Sequence, residues 1–161
     1  MSGGTLLSKK MYTSSSCARL TLLQFKVLFR VHFSKIRLSQ LYPSIADNCD
    51  KCHASSCNLT NMFYSCSLLS PFWQNYFDTM SKILSGIIKV SPHVAIFGLP
   101  EDHNRFTSNQ LDILVFTSLL ARRHLLLHWK STKAPSSIQW LNDTMSFLKL
   151  EKIRYSVKGN W

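Results

Sequence analysis

Apolar residues recur at helical spacing over most of the chain. Leu20, Leu23, Val27, Val31 and Leu38 share one face of a helix that should stop at Tyr42-Pro43. Lys26, Arg30 and Arg37 lie four and seven residues apart and form a basic stripe on that helix, with Phe25, Phe29 and Phe33 beside it. Ser70-Pro71 predicts an N-cap and a first-turn proline. Phe72, Trp73, Tyr76, Phe77, Met80, Ile83 and Leu84 follow as the most regular apolar stripe in the chain, and Gly86 predicts its stop. The segment Ile87 to Leu99 is β-branched and broken by Pro92 and Gly98, which predicts an extended connector or a single strand. Thr107-Ser-Asn-Gln110 resembles a capping box. The helix it opens, Leu111 to Lys130, is apolar nearly all round until Arg122 and Arg123, as expected of a central buried helix. After Pro135, Ser136-Ser-Ile-Gln139 predicts another capped helix, with Ile138, Leu141, Met145 and Leu148 facing inward. No internal repeat is present, and no heptad run is long enough for a coiled coil.

These elements describe a mainly α protein: a small helical domain over residues 17–161, with a Cys-rich, zinc-knuckle-like loop at 47–66 and a Gly/Ser-rich flexible arm at 1–16. At 45% hydrophobic residues the chain is too apolar for disorder. The longest charge-free stretch, Ala54 to Phe77, carries Asn58, Asn61, Pro71 and Gln74, so no membrane partner is expected. The first residues lack the continuous apolar run of a secretory signal, which points to a nuclear or cytoplasmic protein. A mitochondrial presequence ending near Arg19 is the alternative, because the N-terminal segment is Ser-rich, basic and free of acids. The sequons at Asn58 and Asn142 are read as chance matches in an intracellular chain.

Charge changes the picture. The chain carries 19 Lys+Arg against 8 Asp+Glu, a net +11. Met1 to Ala46 holds seven basic residues and no acid, Asp47 to Ala121 is slightly acidic, and Arg122 to Trp161 holds eight basic residues against two acidic ones. Two basic ends suit a polyanion, and the expected partner is RNA or single-stranded DNA bound without strong sequence choice. Lys26, Arg30, Lys35 and Arg37, together with Arg122, Arg123, Lys130 and Lys133, are the candidate phosphate contacts. Phe29, Phe33 or Tyr64 would stack bases if exposed, and otherwise belong to the core.

Motifs of nucleophilic, nucleotide-dependent or deaminase catalysis are absent, as are paired polymerase aspartates, so neither an enzyme nor a small-molecule substrate is expected. His124 and His128 share a helical face without the Glu of an HExxH site. The cysteines are more informative. Cys49-Asp-Lys-Cys52 has the two-residue spacing with which a tight turn presents two thiolates to one zinc. Cys57 and Cys66 would complete a four-thiolate set, whereas His53 abuts Cys52 and would need another loop geometry. The alternative is that these are free thiols in a loop.

The order of several segments is also distinctive. Leu22-Leu-Gln-Phe-Lys-Val-Leu-Phe-Arg-Val-His-Phe-Ser-Lys35 is followed by Leu41-Tyr-Pro43, Cys49-Asp-Lys-Cys52 and Asn58-Leu-Thr-Asn-Met-Phe-Tyr-Ser-Cys66. Then come Phe72-Trp73, Ala95-Ile-Phe-Gly98, Phe116-Thr-Ser-Leu-Leu-Ala-Arg-Arg123 and Trp129-Lys130. From about Ser14 to near Trp161, this set resembles the C-terminal region of the reverse-transcriptase polyprotein of vertebrate LINE-type (non-LTR) retrotransposons. The resemblance implies a Cys-Cys-His-Cys zinc knuckle and a role in binding RNA or DNA during target-primed reverse transcription. Cys49, Cys52 and Cys66 match three ligands, while the family's His falls on Asn61. Asn is a poor zinc ligand, so either Cys57 substitutes or the site is degraded. The resemblance further implies a tail fragment without endonuclease or polymerase domains. The competing expectation is a protein-interaction or structural remnant with no ligand, a basic helix with apolar flanks docking in a partner groove.

Overall fold

A computed structural model describes Ser15 and residues 17–158. The arm expected at 1–16 lies outside the described residues except for Ser15, which is buried and donates from its hydroxyl to Glu151 Oε1 at 2.9 Å. The fold is mainly helical, and no strand occurs among the described residues. In chain order the α-helices are α1 (Ala18–Leu28), α2 (Lys35–Leu41), α3 (Ser70–Ile83), α4 (Pro92–Phe97), α5 (Ser108–Leu127) and α6 (Ser137–Lys158). A π-helical turn at Asn61–Ser65 and a 3-10 turn at Ser67–Leu69 lead into α3, and a 3-10 turn at His103–Arg105 precedes α5. No described helix is long and apolar enough to cross a membrane.

The core forms where the stripe of α3 meets α5. Phe72, Trp73, Tyr76, Phe77 and Met80 of α3 are buried, as are twelve residues of α5. Their aromatic rings pack edge-on: Trp73 lies 5.3 Å from Tyr76, and Tyr76 lies 5.2 Å from Phe77. The Tyr76 hydroxyl finds Thr117 Oγ1 at 3.2 Å, which satisfies a polar group that burial would otherwise penalise. The capping box of α5 forms as its sequence predicts. Thr107 Oγ1 accepts from the Gln110 amide, and Gln110 Oε1 accepts from the Thr107 amide.

Elsewhere the structure departs from the periodicity. The helix expected to run from Leu20 to Tyr42 is two helices. α1 stops in a Schellman motif: the Val31 amide donates to Lys26 O at 2.8 Å and the Arg30 amide to Val27 O at 3.1 Å, with Arg30 left-handed at φ 52°. The chain then turns, and Ser34 caps α2 by accepting from the Arg37 amide. Lys26, Arg30 and Arg37 therefore do not form a stripe on one helix. The N-cap of α3 is Leu69 rather than Ser70, and the left-handed residue that ends α3 is Ser85 (φ 51°), one position before Gly86.

The expected extended connector also contains a helix. Ser91 caps α4, Pro92 opens it and Gly98 closes it at φ 79°. A Cβ at Gly98 would stand 2.9 Å from Val115 Cα and 2.5 Å from Ser118 Oγ, so only glycine lets α4 approach α5 this closely.

The largest correction is at α6. Ile138, Leu141, Met145 and Leu148 are exposed, Ile138 at 73%, and the last three line an open groove against α3 and α5. The residues turned inward are Trp140, Thr144 and the half-buried Phe147. Two apolar stripes compete on this helix, one offset by a residue from the other. The stripe with the indole wins because Trp buries the larger apolar area and its Nε1–H reaches Thr117 O at 3.4 Å.

Candidate metal centre and basic surface

Local backbone bonds shape the Cys-rich loop. Cys49 donates its amide to Ala54 O at 2.9 Å, His53 donates to Cys49 O at 3.0 Å, and Cys57 donates to Asp47 O at 2.9 Å. His53 and Ser56 adopt positive φ, which allows the chain to reverse twice within a few residues. Cys66 reaches the same place from the other side. Its amide closes the π-helical turn on Asn61 O at 3.1 Å, and that turn is pinned to α3 by the Trp73 Nε1–H donating to Phe63 O at 2.8 Å. The core tryptophan thus fixes the position of a cysteine.

The result brings Cys49, Cys52 and Cys66 together, with their sulfurs all within 4.8 Å of one another. Cys49 Sγ and Cys66 Sγ are 3.8 Å apart, and all five cysteines are free of disulfides. A tetrahedral zinc thiolate with Zn–S near 2.3 Å has an S···S edge of about 3.8 Å, so this separation fits such an ion. A cavity of about 30 Å³ adjoins the sulfurs, with Cys49, Cys57 and Cys66 among its walls beside Leu125 and Trp129.

Of the four cysteines named as ligands, Cys57 falls outside the mutual set. It is buried beside Cys49, and its thiol donates to Asn61 Oδ1 at 3.2 Å. Burial, reinforced by the neighbouring Cys49, pushes the Cys57 thiol up to about 12. Cys66 is likewise raised to about 12, chiefly by burial. Cys52 goes the other way, down to about 7, because the Ala54 backbone N–H and the thiols of Cys66 and Cys49 stabilise its anion.

Two lysines tie the loop to the rest of the fold. Lys51 donates from Nζ to His128 O at 2.8 Å and to Ser131 O, at the C-terminal end of α5 where a cation also meets the helix dipole. Burial lowers its pKa, with the Cys66 and Cys49 thiols opposing the shift. Lys35 is ion-paired with Asp50 at 2.9 Å.

The candidate phosphate contacts divide sharply by environment. Arg30, Arg37 and Lys130 are exposed, and Lys26, Lys35 and Arg123 are half-buried. The Arg37 guanidinium lies 4.9 Å over the Phe33 ring, and that of Arg123 lies 5.1 Å over Phe147. Arg122 is not a surface residue at all. It is 0% exposed, donates to Ala95 O at 3.0 Å, to Ser118 Oγ and to Gln24 Oε1, and is pulled down to about 9 by burial. It drops out of the candidate phosphate contacts and belongs to the junction of α1, α4 and α5.

Phe25, Phe29 and Phe33 are exposed at 43%, 57% and 45%, with the Phe25 and Phe29 rings 4.6 Å apart. Tyr64 is half-buried against Trp73. The His124 and His128 rings are tilted at 4.4 Å, but His124 is enclosed between α3 and α6 and stacks on Phe72 at 5.8 Å. Gln24, the buried partner of Arg122, was invisible in the apolar pattern because it is polar. Its position four residues from Leu20, on the inward face of α1, was the available signal. No protein-family model matches the sequence.

Proposed function

We propose that this chain is a non-catalytic nucleic-acid-binding module, a tail fragment of a LINE-type reverse-transcriptase polyprotein. The observation that carries the reading is the surface around the end of α1. Phe25, Phe29 and Phe33 are solvent-facing there, and they alternate along the chain with Lys26, Arg30 and Arg37. Exposed rings offer stacking faces to unpaired bases and the cations meet phosphates, a combination that suits a single strand better than a duplex. Lys130 and Lys133 would extend the contact.

In this reading the thiol cluster holds zinc as a structural ion. Cys49, Cys52 and Cys66 supply three thiolates, with Cys57 or water as the fourth donor. Bound zinc would lock the loop between α2 and α3 and neutralise its thiolates. Asn61 occupies the position where the resembled family has its His, and its side chain engages Cys57.

The test is salt-dependent binding of the zinc-loaded full chain to single-stranded RNA. With three phosphate contacts, log K should fall against log salt with a slope of about −2. A flat profile, or no binding at low salt, overturns the reading. Metal analysis should find one zinc per chain, lost in Cys66→Ser and retained more tightly in Asn61→His. Metal-free protein that takes up no zinc overturns the metal assignment alone.

A second reading is favoured by a different observation. Leu141, Met145 and Leu148 of α6 leave an open apolar groove against Met80 and Ile83 of α3 and Phe116 of α5, a surface that a partner helix could enter. A flat salt profile combined with self-association or capture of a partner would shift the assignment to a protein-interaction module.

A further inference from the structure

A cavity of about 500 Å³ opens beside the exposed phenylalanines, between the turn that follows α1, the π-helical turn and the end of α4. This volume lies within the range of small-ligand sites, about 300–1,000 Å³. Its walls are mixed in a particular way. Phe97, Ile96 and Phe63 give it apolar faces, and Asn58, Thr60 and His32 give it polar positions. Arg30 lines the opening and is exposed.

His32 sets this cavity apart from an ordinary apolar cleft. Its ring meets Phe63 edge-on at 5.7 Å, and its Nε2 is shut off from water without any hydrogen-bond partner. A nitrogen closed to water is closed to a ligand in the cavity as well, so the ring offers its accessible face to a ligand and not Nε2. Burial, and then the nearby Lys26, lower the His32 pKa.

The helix stop brings the cation to the same opening. Arg30 occupies the left-handed C′ position of the Schellman motif, where glycine is the usual residue and an arginine is mildly strained. A flat ligand with polar edges and an attached anion would satisfy the apolar walls, the polar groups of Asn58 and Thr60 and the guanidinium together.

We infer that this cavity takes one nucleotide unit of a single strand, with its base against Phe97 and His32 and its phosphate at Arg30. The inference rests on the nucleic-acid reading above and deepens it. It adds an enclosed base site to the basic surface and its exposed rings.

The probes are a ten-nucleotide oligoadenylate RNA and an abasic strand of the same length and charge, titrated against the full chain by fluorescence anisotropy. The base-bearing strand should bind at least about tenfold more tightly, as stacking and insertion of a base predict. Phe97→Leu keeps the apolar volume but removes the ring. His32→Ala removes the imidazole from the wall. Each should shrink the tenfold difference while leaving the salt slope unchanged.

Equal binding of the two strands with an intact salt slope overturns the pocket and spares the electrostatic reading. Failure of both strands to bind at low salt overturns both. A preference for bases that persists in both variants overturns the pocket and moves stacking to Phe29 and Phe33. Saturable, salt-insensitive binding of adenosine monophosphate at micromolar concentration would overturn the strand as source, in favour of a free nucleotide. If a variant fails to fold, Phe29→Leu with Phe33→Leu decides the matter: a base preference that survives this change supports the pocket, and one that is lost with it overturns the pocket.

Discussion

α3 and α6 carry similar amphipathic patterns and meet different fates. In α3 the apolar stripe is buried from Phe72 to Met80, and Trp73 is 1% exposed. In α6 the stripe of Ile138, Leu141, Met145 and Leu148 faces solvent, while Trp140, one position away from Leu141, is 1% exposed. Both helices thus insert an indole into the same aromatic cluster, in which Tyr76 lies 5.3 Å from Trp73 and 5.1 Å from Trp140. Periodicity shows that a helix has an apolar face, but partner area decides which face is buried. α3 lies between several elements that cover it, whereas α6 packs along one side only and keeps its best heptad outside.

Truncating the two indoles should have the largest effect. Trp73→Ala and Trp140→Ala should each destabilise the fold by about 3–5 kcal/mol in urea unfolding. Equal losses would sharpen the view that α6 is anchored by one residue. A much smaller loss at Trp140 would show that the helix is held elsewhere.

Next in size is the buried guanidinium at the junction of α1, α4 and α5. Gln24→Ala removes an acceptor from Arg122 and should cost about 2–4 kcal/mol, because it leaves a desolvated charge less satisfied. Gln24→Glu would be the informative companion. Added stability there would mean that the guanidinium lacks only a counter-charge.

pH probes the junction of α3, α5 and α6 directly. Burial lowers the His124 pKa, with His128 adding to the effect and Asp143 opposing it. Below about pH 6.5 the unfolded chain takes up the proton first, so stability is full above that pH and declines as pH falls. The decline is at most about 1.4 kcal/mol per pH unit for one histidine. His124→Phe should flatten this slope in pH-dependent melts, and an unchanged slope would assign it elsewhere, for instance to His32, which shifts in the same direction.

The smallest effect belongs to the outer face of α6. Met145→Gln should change stability by no more than about 0.5 kcal/mol, since the side chain is half exposed. A larger, concentration-dependent loss would break the comparison with α3 by showing that this face is covered in solution.

Legibility followed the range of the interaction. The capping box at Thr107 and the stripe of α3 were readable because their bonds and spacing lie within one turn or one helix. The meeting of Cys49 and Cys52 was readable for the same reason. The helix over 92–97 was missed although Ser91, Pro92 and Gly98 supplied its start and stop, because β-branched content outweighed the punctuation. The break after α1 was hidden because Arg30, not glycine, takes the left-handed position.

The sequence by itself determined the helical class, the charge asymmetry and the presence of a two-cysteine turn, since these depend on local propensity and composition. Only the tertiary structure decided that Cys66 joins that turn while Cys57 stands aside with Asn61. It also decided that Arg122 is buried against Gln24, that α6 turns Trp140 inward, and that a cavity with an unpaired imidazole lies beside the exposed phenylalanines. Each of these pairs residues far apart in the chain, and which far-apart residues meet is set by competition among faces for a limited buried area.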